Sequence, residues 1–172
     1  MIDELKKLPK VELHLHLDGS IPIDLASQLS HCSVKELEKE MIADDKCENL
    51  SEYLTKFDFP IQLMQTKENL IEIANALVNE LASENVIYAE IRFAPNFHTK
   101  EGLSLDEIVH AVLEGMARNK QVKTNLILCM MRGASFEENQ KIITLAQNYL
   151  GRGVCAVDLA EGVLMSPLPA AN

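Results

Sequence analysis

The chain alternates between two hydrophobic periods. Over residues 11–17 apolar and polar positions alternate, with Val11, Leu13, Leu15 and Leu17 on one side and Glu12, His14 and His16 on the other. That period of two predicts a β-strand whose polar face carries reactive groups and whose leucines face covering helices. Asp18-Gly19-Ser20 ends the run. From Ile23 to about Phe59 the pattern predicts short helical pieces, with Leu50, Tyr53, Leu54 and Phe57 at helical spacing. Leu70, Ala74, Leu77, Val78 and Leu81 then trace the stripe of a longer helix from about Lys67, and a second strand is predicted at residues 86–93.

Ser104 with Glu107, and Ser135 with Glu138, each match a capping box, in which a hydroxyl and a carboxylate satisfy free backbone N–H groups at a helix start. The first helix predicted this way buries Ile108, Val109, Val112, Leu113 and Met116. The second buries Ile142, Ile143, Ala146, Tyr149 and Leu150 and stops at Gly151. Further strands are predicted at residues 125–131 and 154–159.

Apolar strands separated by amphipathic helices imply βα units and a parallel sheet. A closed eight-stranded barrel takes about 250 residues, whereas this chain has 172. The expectation is therefore an α/β chain forming a partial (β/α)8 TIM-type barrel of about four βα units. A doubly wound four-stranded sheet is the alternative, but no Gly-rich phosphate turn follows the first strand. Residues 1–162 are expected to form the barrel segment. Residues 163–172, with Pro167, Pro169 and a double alanine before Asn172, are expected to form an irregular tail.

Composition narrows the partners. A formal net charge of -10, from 26 acids against 16 bases, argues against nucleic acid. The start of the chain lacks a basic-then-apolar secretory pattern, and no apolar run approaches the roughly 20 residues of a membrane span. Cys32, Cys47, Cys129 and Cys155 are scattered without a C-x-x-C pair and read as reduced thiols. The expected location is the cytoplasm, away from membranes.

Two imidazoles two residues apart on a strand project from one face, about 7 Å apart at their origins, and can converge on one metal. A solvated pair is the common alternative. His31 and His98 lie in polar sequence surroundings and His110 on the polar side of its helix, so all three are expected to be solvated. Arg92 and Arg132, at strand ends, are expected in buried ion pairs that shape the barrel interior.

Val11-Glu-Leu-His-Leu-His-Leu-Asp-Gly-Ser20 resembles the opening motif of the adenosine deaminase family of metal-dependent hydrolases. Leu8-Pro9-Lys10 precedes it as in that family, and Lys56-Phe57-Asp58 resembles the family's lid segment. Tyr88-Ala-Glu-Ile-Arg92-Phe-Ala-Pro95, Cys129-Met-Met-Arg132-Gly and Ala156-Val-Asp158-Leu-Ala160 resemble its second, third and fourth strands. The likeness runs to about Ala160. It implies a (β/α)8 barrel carrying out zinc-dependent deamination of adenosine to inosine, in which a zinc-activated water attacks the purine carbon bearing the amino group.

By this resemblance His14 and His16 are the first two zinc ligands, at the C-terminal mouth of the barrel. Asp18 hydrogen-bonds a ribose hydroxyl, with His16 close to the same group. Leu54 and Phe57 belong to an apolar lid, ordinary helix packing being the other reading of both. The family's Asp-Leu-Ala-Gly places a glycine backbone near the purine; here Asp158-Leu-Ala160 runs on through Glu161 to Gly162, a displaced candidate. The third zinc histidine, the acid, the second catalytic histidine and a metal-site aspartate lie in the family's second half, which corresponds to positions downstream of Asn172, and no histidine follows His110. No catalytic acid or base is therefore assigned in this chain, and the chain alone is expected to be inactive. The implied ligand is a small purine nucleoside, with one Zn2+ per complete site. Two alternatives stay open: a non-catalytic half-barrel that self-associates or pairs with a complementary chain, or a relative acting on adenine, AMP or a modified nucleoside.

Overall fold

The computed structural model describes residues 2–44 and 46–160. A short helix, α1 (Ile2–Lys7), leads into strand β1 (Lys10–His16). A long excursion follows through α2 (Ile23–Ser30), α3 (Val34–Met41), α4 (Leu50–Leu54), a 3-10 turn (Thr55–Phe57) and α5 (Asp58–Leu63). The chain then alternates regularly: α6 (Lys67–Ser83), β2 (Val86–Phe93), α7 (Leu105–Met116), β3 (Lys123–Met131), α8 (Phe136–Tyr149) and β4 (Val154–Ala160). The sheet runs β1-β2-β3-β4 with every neighbouring pair parallel. Parallel neighbours cannot be joined by a tight turn, so each link must cross over through a helix.

Strand β2 separates the two sides of the sheet. Ala89, Ile91 and Phe93, all 0–1% exposed, pack with Leu126 and Leu128 of β3 against the helices. The alternate residues Tyr88, Glu90 and Arg92 are polar, and the Tyr88 hydroxyl donates to Glu90 (2.7 Å) while accepting from the Asn125 amide (2.9 Å). The expected stripe of α6 is buried in full, and Ile71 and Ile73 join it. Helix α7 presses onto α6 at Gly115, where a Cβ would stand 2.3 Å from the Ile71 carbonyl oxygen.

Both expected capping boxes form, and a third, Ser33 with Glu36, opens α3. Three expected core positions differ. Leu113 and Ile143 are only half-buried, and Leu150 is 65% exposed because α8 ends at Tyr149; Leu145 fills the core instead.

The leucine face of β1 also departs from expectation. Glu12 pairs with Ala89 and Leu15 with Ile91, so three residues of β1 span two of β2. Such a bulge switches the faces within one strand. Glu12 and Leu15 therefore share the helix side, while Val11 and Leu13 stand on the opposite face, 57% and 55% exposed. At the other edge Val157 and Leu159 are 40% and 43% exposed. Among the described residues no helix is long and apolar enough to cross a membrane. Gly162 and the expected irregular tail at 163–172, through Asn172, lie outside the described residues.

Candidate active site

The bulge in β1 delivers its last residues to the C-terminal end of the sheet with both imidazoles together. The His14 and His16 ring centroids are 5.4 Å apart, tilted by 42°. Asp18 follows immediately, and His16 Nδ1 lies 4.0 Å from Asp18 Oδ1. That oxygen is buried without a hydrogen-bond partner. Burial pushes the Asp18 carboxyl up to about 6, against the backbone N–H groups of Asp18 and Gly19, which favour its charged form. Burial, then the neighbouring His14 and Arg92, push His16 below the usual imidazole range. A neutral ring keeps the lone pair that a metal needs.

The 3-10 turn that follows α4 packs against His16. Phe57 meets the edge of His16 at 6.2 Å between centroids and of Tyr53 at 5.7 Å. Its ring lies against Gly19, where a Cβ would be 2.8 Å from Phe57 Cε1. Beneath is a cavity of about 370 Å3 whose lining includes His14, His16, Asp18, Leu54 and Phe57 together with Phe97 and Met131. No sequence motif marks Phe97 or Met131 as a site residue. Their positions after β2 and at the end of β3, the face where barrel sites lie, are the signal that could have found them.

Arg92 and Asp158 form the expected ion pair, reaching from β2 to β4 over the buried Cys129, whose thiol burial pushes up to about 12. Arg132 departs from the expected buried pair. It is exposed, one residue past the end of β3, and its backbone N–H donates to the Ala160 carbonyl at 2.8 Å. His31, at the left-handed cap of α2, and His110 are exposed as expected.

His98 is a correction. It is 0% exposed and stacks at 5.5 Å on Phe93. Pro95–His98 is a 3-10 turn, and in a 3-10 turn residues three apart eclipse, so His98 shares the buried side of Pro95 despite its polar neighbours Asn96, Thr99 and Lys100. Neither ring nitrogen has a hydrogen-bond partner, and burial pushes the imidazole down to about 4.

Among the described residues no group of three or more His, Cys, Asp or Glu side chains could hold a metal ion. What they supply is the His14 and His16 pair.

A four-stranded parallel sheet with alternating helices is the architecture of about half a (β/α)8 barrel. The family is specific: the adenosine deaminase family model matches residues 9–170, and the chain belongs to that family. An adenosine deaminase of Clostridium botulinum (strain Kyoto / Type A2) is 40% identical over 168 residues, covering 91% of this chain and 50% of that protein. One of Clostridium kluyveri is 38% identical, covering 91% and 48%. The chain thus spans about half the length of the curated relatives it matches. Among solved structures, the Arabidopsis N6-mAMP deaminase matches with a TM-score of 0.77 and 26% identity, over 92% of this chain and 52% of that one. A Burkholderia ambifaria amidohydrolase solved with bound Zn shares the fold, with a TM-score of 0.78 at 20% identity over 95% and 47%.

Proposed function

We propose that this chain forms one side of a zinc-dependent site that hydrolyses adenosine to inosine and ammonia. The observation that carries the reading is the His14 and His16 pair, rings 5.4 Å apart beside a buried, unpartnered Asp18 oxygen, under an aromatic lid. The donor chemistry fits zinc in part: two imidazoles are normal zinc ligands, and a catalytic site takes about three protein ligands and an open position. When bound, the metal supplies Lewis-acid activation of a water molecule.

The chain's own residues divide the remaining work. His14 and His16 hold the metal. Asp18 Oδ1 accepts from a ribose hydroxyl, satisfying an oxygen that is otherwise buried without a partner. Leu54 and Phe57 exclude water from one side, and Phe97 and Met131 give the purine an apolar bed on the other. The acid and base of the reaction are assigned to the part of the family's barrel that this chain does not span. A neutral nucleoside is favoured over AMP because, among the described residues, no Lys or Arg lines the cavity and Asp18 would repel a 5′-phosphate. The scattered free thiols support a cytoplasmic location.

The test follows the absorbance fall as adenosine becomes inosine, with the chain alone, with added Zn2+, and with a polypeptide supplying the rest of the barrel. Turnover is expected only in the last case, and His14→Ala should abolish it. Turnover that survives His14→Ala would overturn the assignment. The exposed Val11, Leu13, Val157 and Leu159 at the two sheet edges favour a second reading, a binding half-barrel that takes a complementary chain or its own copy. Sedimentation as a monomer at every concentration, alone and with that polypeptide, would exclude it.

A further inference from the structure

Gln65 is a polar side chain buried to 4% exposure in the short link between α5 and α6. Its Nε2 donates to the Ile61 carbonyl at 2.6 Å and to the Phe97 carbonyl at 2.9 Å, and its Oε1 accepts from the Lys100 N–H at 3.0 Å. The amide thus uses both of its donors and its acceptor on backbone. The Ile61 carbonyl, in the last turn of the lid helix, also accepts from the Met64 N–H at 3.2 Å, so the Gln65 bond is its second. The other two cross to the turn that follows β2, gripping it just before and just after its buried end at His98.

Both segments line the cavity. Ile61 and Phe57 line it from the lid, and Phe97 lines it from the rim of β2. Local satisfaction of α5 alone would not need the crossing, because Asn69 already performs a local task there, donating to the Leu63 carbonyl at 2.7 Å. Only an amide of this reach can donate to a carbonyl on each side and still accept from a third backbone group. A carboxylate would face two carbonyls with no proton to offer.

We propose that Gln65 is a positioning residue that couples the lid to the β2 rim and so sets the width of the cavity between Phe57 and Phe97. The coupling stands on the hydrogen bonds alone; its consequence for a nucleoside rests on the function proposed above.

The test compares Gln65→Met, Gln65→Glu and the control Asn69→Ala in the full chain, by amide hydrogen exchange and by adenosine binding, with the amides of β3 as the reference for global opening. Both Gln65 variants should speed exchange at residues 58–63 and 97–100 together, at least tenfold beyond any change in β3, and weaken adenosine binding several-fold. Asn69→Ala should speed exchange beside α5 and leave 97–100 and adenosine affinity unchanged. Unchanged exchange at Lys100 in Gln65→Met would overturn the proposal, as would equal effects of Asn69→Ala on the rim. Coupled exchange in a chain that shows no adenosine affinity, alone or complemented, would uphold the positioning role and count against the nucleoside reading instead.

Discussion

The Phe57 ring occupies the space that a side chain on Gly19 would need: a Cβ there would lie 2.8 Å from Cε1 and 3.0 Å from Cζ. The turn after the histidine strand and the lid are therefore in contact through a missing methyl group. Gly19→Ala should push the ring off His16 and open the lid. Because the obstacle is the end of a rotatable side chain, the fold should lose less than about 1 kcal/mol, while adenosine affinity of the complemented site should fall by about tenfold. Calorimetric binding set beside a urea titration checks both halves.

Gly115 meets backbone rather than a side chain. Alanine there gains up to ~1 kcal/mol of helix propensity, but its Cβ would stand 2.3 Å from the Ile71 oxygen and 2.9 Å from the Ala74 Cβ. Helices α6 and α7 must separate to admit it, so Gly115→Ala should destabilise the chain by about 1–3 kcal/mol net. The urea midpoint should fall without a change in slope.

His98 should make stability depend on pH. Its folded pKa is about 4, below the ordinary 6.5, so between these values the unfolded chain binds more protons. Stability is then lost as pH falls from about 6.5 towards 4, by roughly 3 kcal/mol at the lower end. Lys100 adds to the depression, and the Met64 backbone opposes it. Asp18, raised to about 6, gains stability over an overlapping window as pH falls, so the two partly cancel in the native chain. The check is a difference: His98→Leu should hold its unfolding midpoint better than the native chain between pH 6.5 and 4, and identical profiles would refute this.

The Arg92 and Asp158 pair is unequal in burial, 10% against 39% side-chain exposure, and Arg92 Nε has no partner of its own. Water reaches the carboxylate far more than the guanidinium. Asp158→Ala, which strands the buried cation, should cost about 2 kcal/mol, whereas Arg92→Met should cost about half as much, its aliphatic replacement keeping the packing. Chemical denaturation of the two single variants gives the ratio.

Most of the architecture could be read from the chain because its determinants are local. Capping boxes at Ser104 and Ser135, the stripe of α6 and the boundaries of β2 depend on residues within a few positions of one another. The histidine pair was legible for the same reason, two residues on one strand. What escaped depends on partners distant in sequence. The bulge of β1 exists only in its pairing with β2, so the sequence pattern put Val11 and Leu13 on the same face as Leu15. His98 looked solvated because its neighbours are polar, and only the 3-10 geometry turns it inward. Gln65 binds groups 32 and 35 residues away, and nothing near it in the chain marks it out.

The order β1-β2-β3-β4 repeats the order of synthesis, so no strand has to slip between two already paired. The joints differ in reach, however. Leu126 meets Val154 and Tyr88 meets Lys123, whereas Lys10 must find Val86 across the whole α2–α6 excursion, more than twice the contour. Each doubling of a closing loop adds about 0.6 kcal/mol of entropic cost. On loop entropy alone, the joint that seats the strand bearing both histidines against β2 is the costliest of the three. The face that carries His14 and His16 thus takes its place beside β2 through the joint of longest reach.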